Sequence, residues 1–391
     1  MKITFISNYI NHHQIPLANE LYKRIGMEYR FIETEVMEED RVKMGWDVEV
    51  KSIPYLLNYH EEKELCDELL VTSDVVIVGG IRDESCVMPR LEKGLFTIRY
   101  SERIYKEAQW KRFSPRGLIQ KYHDFIRFRN NQYYLFCAGG YVADDYNLIK
   151  AFPNKMLKWG YFPEAIKYDV EDLFLKKAQK SNVLLLWTGR MIDWKHPEYA
   201  LEVAKRLKNK GYDFILKMIG QGQMRESLEK MAKELGVQDK VVFLDFMAPS
   251  DVRKEMEAAD IYLITSDRNE GWGAVINEAM NSGCVVVADH MIGATPYLIK
   301  HGENGLIYES QNVDSLQVEI EKVINNACYR KEIGIKAYKT IDTLWNPQIA
   351  AKRLLDFCGS KKMNTYIEGP GAIETPVREK KMYSRMKEKQ A

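Results

Sequence analysis

The chain has 391 residues, 46% hydrophobic and 29% charged, with a formal net charge of +1. That length exceeds one ordinary core and predicts two domains of roughly 150–200 residues each. A near-zero net charge excludes the global basic field of a nucleic-acid binder. The six cysteines (Cys66, Cys86, Cys137, Cys284, Cys328, Cys358) are scattered with no C-x-x-C pair, which argues against a disulfide framework and a zinc site, and for a reducing cytoplasm.

Met1–Ile6 runs straight into a strand-like segment and does not read as a signal peptide. Further β-rich runs follow at Val75–Val78, Phe96–Tyr100, Val183–Thr188, Phe214–Ile219, Val241–Leu244, Ile261–Thr265 and Val285–Ala288, all far short of the roughly 20 residues of a membrane span. Between them lie helical periods, as in Pro197–Leu207 and Met224–Leu235. Strands alternating with helices predict βαβ crossovers and parallel sheets. The pattern pauses at Trp159–Glu164 and restarts at Asn182 after the polar stretch Lys176–Ser181. The linker therefore falls there, with one Rossmann-like domain on each side.

Between Arg99 and Arg129 the chain is basic and aromatic, with Arg103, Lys106, Lys111, Arg112, Arg116, Lys121 and Arg127 interleaved with Trp110, Phe113, Tyr122, Phe125 and Phe128. Two readings stand: a peripheral contact with an anionic membrane, or an ordinary amphipathic helix packed through Leu118, Tyr122 and Phe125. The basic end Val377–Ala391 reads as a solvated or frayed tail.

The second half carries the chemistry. In "LLLWTGRMIDWKHPEYAL" a strand ends at Thr188, Gly189 permits a turn, and Arg190 and Lys195 precede a helix near Pro197. Cations at the carboxyl end of a parallel strand stand where such sheets bind ligands, and two can neutralise a diphosphate. Gly220 and Gly222 follow the next strand, a weak signal on its own. In "EGWGAVINEAM", Gly271 and Gly273 bracket Trp272 at a helix start, where free N–H groups and the helix dipole suit an anion. Glu270 and Glu278 flank the same crevice and suit vicinal hydroxyls.

These motifs together resemble the retaining glycosyltransferases of family 4, which have the GT-B fold: α/β, two Rossmann-like domains with parallel sheets facing across a cleft. The E-x7-E motif matches Glu270 and Glu278, "GRMIDWKHPEYAL" the G-R-x4-K turn, and "LKMIGQGQMRESLE" the G-x-G turn. "VVFLDFMAPSDVRKEMEAADIYLITS" is similar to the segment leading to the motif, and "GATPYLIKHGENGLIY" to the loop and hairpin after it. The resemblance implies an N-terminal acceptor-binding domain over residues 1–163, completed by C-terminal helices about 343–391, and a nucleotide-sugar-binding domain over 164–342. It implies that Arg190 and Lys195 bind the donor diphosphate and that Glu278 holds the ribose. Glu270 would hold the sugar, with Gly189, Gly220, Gly271, Trp272, Gly273 and Thr295 beside the donor. The absence of any D-x-D in the chain suits a metal-independent fold without cofactor, using a UDP- or GDP-linked donor.

The first domain departs from the family pattern. Its first turn, "ISNYINHHQIPLANEL", holds Asn8, His12 and His13 instead of glycines. Facing the cleft, these would orient the acceptor or the phosphates; otherwise one histidine caps the helix and the other is exposed. "FTIRYSERIYKEAQW" offers Glu102 as acceptor-side base with Arg103 beside it, unless Glu102 simply pairs with Arg103 or Arg99. The resemblance implies a cytoplasmic enzyme, peripheral on the inner face of the cell membrane if the basic segment binds there. It would transfer sugar to a glycan or lipid-linked acceptor in bacterial surface polysaccharide synthesis. The rivals are a same-fold nucleotide-sugar epimerase and a non-catalytic partner subunit. A nicotinamide dehydrogenase is remote, because neither domain shows G-x-G-x-x-G after its first strand.

Overall fold

A computed structural model describes residues 1–37, 53–363 and 366–388. The chain divides into two compact units, Met1–Glu164 with Trp345–Glu379, and Ala165–Leu344 with Lys380–Ala391.

The first unit holds β1 (Ile3–Ser7), β2 (Tyr29–Glu33), β3 (Leu56–Asn58), β4 (Val75–Val78), β5 (Thr97–Ser101), β6 (Tyr133–Ala138) and β7 (Met156–Trp159). They form a parallel sheet in the order β3-β2-β1-β4-β5-β6-β7. Helices cover both faces of such a sheet, so its strands need apolar residues throughout; every residue of β1 and of β4 is buried. The apolar runs mark β1, β4 and β5, whereas β2, β3, β6 and β7 escape notice. β3 has only three residues, and β2 and β7 carry charged residues (Arg30, Glu33, Lys158) within short runs.

The second unit holds β8 (Val183–Thr188), β9 (Phe214–Ile219), β10 (Val241–Leu244), β11 (Ile261–Ile264), β12 (Val285–Asp289) and β13 (Leu306–Tyr308). All pair in parallel, in the order β10-β9-β8-β11-β12-β13. The hairpin expected near Gly293–Tyr308 is absent there. The helix Thr295–Leu298 carries the chain across instead, so Leu306–Tyr308 pairs parallel to β12.

The C-terminal segment is ordered rather than frayed through Glu388. A helix spans Glu379–Glu388, burying Met382 and Met386, and Lys387 donates to Glu319 Oε1 at 2.8 Å within the second unit. Two methionines four positions apart give the apolar face that a charge count conceals. Lys389 lies outside the described residues.

Candidate functional site

In the second sheet the strand order reverses between β8 and β11, which pair directly through Leu185 and Ile261. The crevice beyond the carboxyl ends at such a switch point is where open α/β sheets take ligands. The loop after β8 carries Arg190 and Lys195, and the loop after β11 carries Glu270, Gly271 and Gly273.

These loops are stitched together. Asp267 N donates to Trp194 O (2.9 Å), Thr265 Oγ1 to Lys195 O (2.6 Å), and Trp187 Nε1 to Thr265 Oγ1 (2.8 Å). Lys195 and Glu270 form an ion pair. The Trp194 ring lies 4.6 Å from Lys195 Nζ and 5.9 Å from the Arg190 guanidinium carbon. Arg190 itself is exposed.

His196 follows Lys195 at φ 46°, ψ 52°, in the left-handed region that a side chain rarely adopts. Its ring is held from two sides. Nδ1 lies 2.8 Å from Glu198 Oε1 and Nε2 lies 3.6 Å from Asp267 Oδ2. The Asp267 carboxylate and then that of Glu198 push its pKa up to about 9. The imidazolium is thus matched by the two carboxylates that hold it.

Glu278 lies in the helix Val275–Asn281 with its side chain 19% exposed. Burial raises its pKa, and the guanidinium of Arg253 opposes the rise. Arg253 reaches over from the helix Pro249–Ala258. Its Nη2 lies 3.9 Å from Glu278 Oε1, and its Nη1 donates to Glu278 O (3.0 Å) and Asn281 Oδ1 (3.1 Å).

Several residues expected beside a donor face the fold instead. Trp272 is 1% exposed and donates Nε1–H to Asn277 Oδ1 at 2.9 Å, which anchors the Gly271–Gly273 turn from within. Thr295 is buried, its hydroxyl donating to Asp289 O at 2.9 Å. Gly220 meets the neighbouring loop: a Cβ there would stand 2.0 Å from Gly189 O. Gly293 has the same relation to the β11 loop, where a Cβ would stand 1.8 Å from Gly271 O. Bare backbone at both positions lets the loops close on one another.

In the first unit, Asn8, His12 and His13 follow β1, as the carboxyl edge of a parallel sheet requires. Asn8 O accepts from Thr34 N (2.9 Å) and Glu35 N (2.7 Å). The His12 and His13 rings lie 3.7 Å apart. Burial pulls the His12 pKa down to about 4 and that of His13 well below the ordinary 6.5, with His12 adding to the latter effect. Both imidazoles are therefore neutral near pH 7 and suit hydroxyls better than anions. Glu102, after β5, pairs with Lys106 and accepts from Tyr161 Oη at 2.5 Å, rather than meeting Arg99 or Arg103. His13 and Tyr161 line a cavity of ≈ 20 Å³. Arg103 turns inward, its buried guanidinium paired with Asp145 and Glu379. Arg99 pairs with Glu84 at 2.7 Å.

Sequence reasoning missed Trp194, His196, Arg253 and Tyr161. Trp194 and His196 flank Lys195 and were within reach of it. Arg253 and Tyr161 gave no local signal, because tertiary packing brings them to their partners.

Comparison with known proteins agrees with this geometry. Residues 171–340 match the profile of the family Glycosyl transferases group 1. An uncharacterized glycosyltransferase of Haemophilus influenzae is 32% identical over 151 residues, 39% of this chain and 42% of that protein. The lipopolysaccharide core biosynthesis glycosyltransferase LpsE of Rhizobium meliloti is 25% identical over 44% of this chain and 48% of its own. The chain thus spans under half the length of these curated relatives. Among solved structures, Anabaena HepE in complex with UDP superposes with a TM-score of 0.68 at 16% identity, covering 92% of this chain and 100% of that one. WaaG, a glycosyltransferase involved in lipopolysaccharide biosynthesis, gives 0.59 at 18%, covering 90% and 98%. The architecture is GT-B. Among the described residues no helix is long and apolar enough to cross a membrane.

Proposed function

We propose that the chain is a retaining, metal-independent glycosyltransferase. It would move a sugar from a UDP- or GDP-linked donor to a hydroxyl of a glycan or lipid-linked acceptor, in bacterial surface polysaccharide synthesis at the cytoplasmic face of the cell membrane. The observation that carries this is the meeting of the Arg190–Lys195 loop and the Glu270–Glu278 segment at the switch point between β8 and β11.

In this reading Arg190, Lys195 and the Gly271–Gly273 backbone hold the diphosphate and stabilise charge on the departing nucleotide. Glu278 accepts from the ribose hydroxyls and Glu270 from the sugar. The bond from the anomeric carbon to phosphate oxygen breaks as the acceptor oxygen bonds the same carbon. The acceptor proton passes to the departing phosphate on that face, which retains configuration. The first unit would present the acceptor, with neutral His12 and His13 and the Asn8 side chain orienting it and Glu102 as the candidate acceptor-side base. That HepE was solved with UDP, and that LpsE serves lipopolysaccharide core biosynthesis, supports the donor and the pathway class.

The test is a thermal-shift panel of UDP-, GDP-, ADP- and TDP-sugars on the native chain and on Glu278→Ala. A ligand at 100 times its dissociation constant stabilises by about 2.7 kcal/mol. One nucleotide class should raise the melting temperature of the native chain only. No shift with any donor would favour a non-catalytic partner subunit. Donor consumed without acceptor to give an altered free sugar would favour an epimerase.

A further inference from the structure

The segment 109–122 inverts the usual placement of an apolar stripe. The helix Pro115–Asp124 starts from Ser114, whose side chain accepts from Gly117 N at 3.3 Å, and none of its ten residues, all described, is buried. Pro115, Leu118, Ile119 and Tyr122 recur at helical spacing along one face. A helix stripe of that kind normally turns to the core, yet Leu118, Ile119 and Tyr122 are 40%, 62% and 52% exposed. Just before the helix, Trp110 and Phe113 are 68% and 69% exposed. Phe125, at the helix end, and Phe128 just beyond it pack inward. Of the three residues expected to pack such a helix on the domain, Leu118 and Tyr122 are exposed and Phe125 is buried.

Cations accompany the apolar groups. Lys111, Arg116, Arg127 and Arg129 are exposed, and the Arg112 guanidinium stacks 4.6 Å from the Phe113 ring centre. Against them stand Glu107, Asp124 and Glu92, the last 3.9 Å from Arg127 Nη2. Lys111 pairs with Glu107, while Asp124 accepts from Gln120 at 2.8 Å.

We propose that Trp110–Tyr122 is a docking surface for a bilayer leaflet rich in anionic lipid. Exposed aromatic and aliphatic side chains flanked by Lys and Arg suit the headgroup boundary: the rings enter the acyl edge and the cations meet phosphate. A second copy of the chain fits less well, because a self-complementary contact would set these cations against their own duplicates. The inference concerns the first unit's surface and stands whether or not the donor reading holds.

The experiment is flotation of the full chain with vesicles of phosphatidylcholine alone and of phosphatidylcholine mixed with phosphatidylglycerol. Binding should require phosphatidylglycerol and weaken as salt rises. Trp110→Ser and Ile119→Ser should each lower the partition coefficient about tenfold. The pair Arg112→Glu with Arg116→Glu should abolish the preference for phosphatidylglycerol. All four positions lie on the surface segment, so unchanged circular dichroism and melting temperature verify the fold. If one set fails to fold, the other set and the salt dependence still decide. Equal flotation of native and variant chains overturns the proposal, as does equal binding to both vesicle types. A concentration-dependent dimer abolished by the same substitutions, with no flotation, overturns it in favour of self-association. Because flotation needs no substrate, an inactive chain that floats would separate this proposal from failure of the transferase reading.

Discussion

Lys195 and Glu270, 75 positions apart in sequence, meet as an ion pair across the loops of adjacent strands. Each is expected to serve a different part of a nucleotide sugar, yet each also holds the other in place. A diphosphate, with more negative charge than one carboxylate, would compete with Glu270 for the lysine. Lys195→Ala should lower kcat/KM about 10²–10³-fold. Glu270→Gln should also lower it, and the double variant should lose less than the product of the two, because both single changes break one shared interaction. Steady-state kinetics on the three variants give the cycle; strictly multiplicative losses would refute the coupling.

In the proposed reading Arg253 would act on the donor through Glu278, which its guanidinium approaches to 3.9 Å. Burial raises the Glu278 pKa, and the guanidinium opposes that rise. Arg253→Met should raise that pKa further. Donor affinity would then fall at a higher pH as the medium is acidified. Arg253→Lys should restore part of the native profile. Dissociation constants measured across the acid range separate this from a plain loss of fold, which would displace the whole curve downward without moving its inflection.

His196 makes stability depend on pH in a defined direction. Its folded pKa, about 9, stands above the ordinary 6.5, so the protonated ring stabilises the native state. That contribution is complete below pH 6.5 and is lost as pH rises through 9. The melting-temperature gap between the native chain and His196→Gln should therefore be widest below that window and close above it. His196→Gly would also lose the charge, but it should relieve the strain at φ 46° and melt higher than His196→Ala. An unchanged gap across the window would rule out the imidazolium.

Gly293→Ala and Gly220→Ala test the closure of the loops. The added methyl would lie within 1.8 and 2.0 Å of a backbone carbonyl oxygen, so a loop must move. Each should cost about 2 kcal/mol or more in chemical denaturation and lower donor affinity, although neither position needs to touch the donor. Native-like stability and affinity in both would mean that the loops shift freely.

Much of the framework was legible because its rules are local. Parallel strands covered on both faces are near-continuous apolar runs, so β4, β8 and β9 could be read to the residue. Functional groups at carboxyl ends of strands are a property of the connection, so Arg190, Lys195, Glu270 and Glu278 could be placed in loops or at a helix start. Short strands bearing charges, such as β2 and β7, lacked that contrast.

The sequence by itself determined the period of the elements and the chemical types at their ends. Only the tertiary structure decided which way each side chain faces, because facing depends on neighbours far away in the chain. It turned Trp272 inward to Asn277 and committed Arg103 to Asp145. It brought Arg253 beneath Glu278 and held His196 in a left-handed turn between two carboxylates. It also left the stripe of Leu118, Ile119 and Tyr122 uncovered, although the same spacing elsewhere marks a core. Periodicity says that a face is apolar; only packing says what it meets.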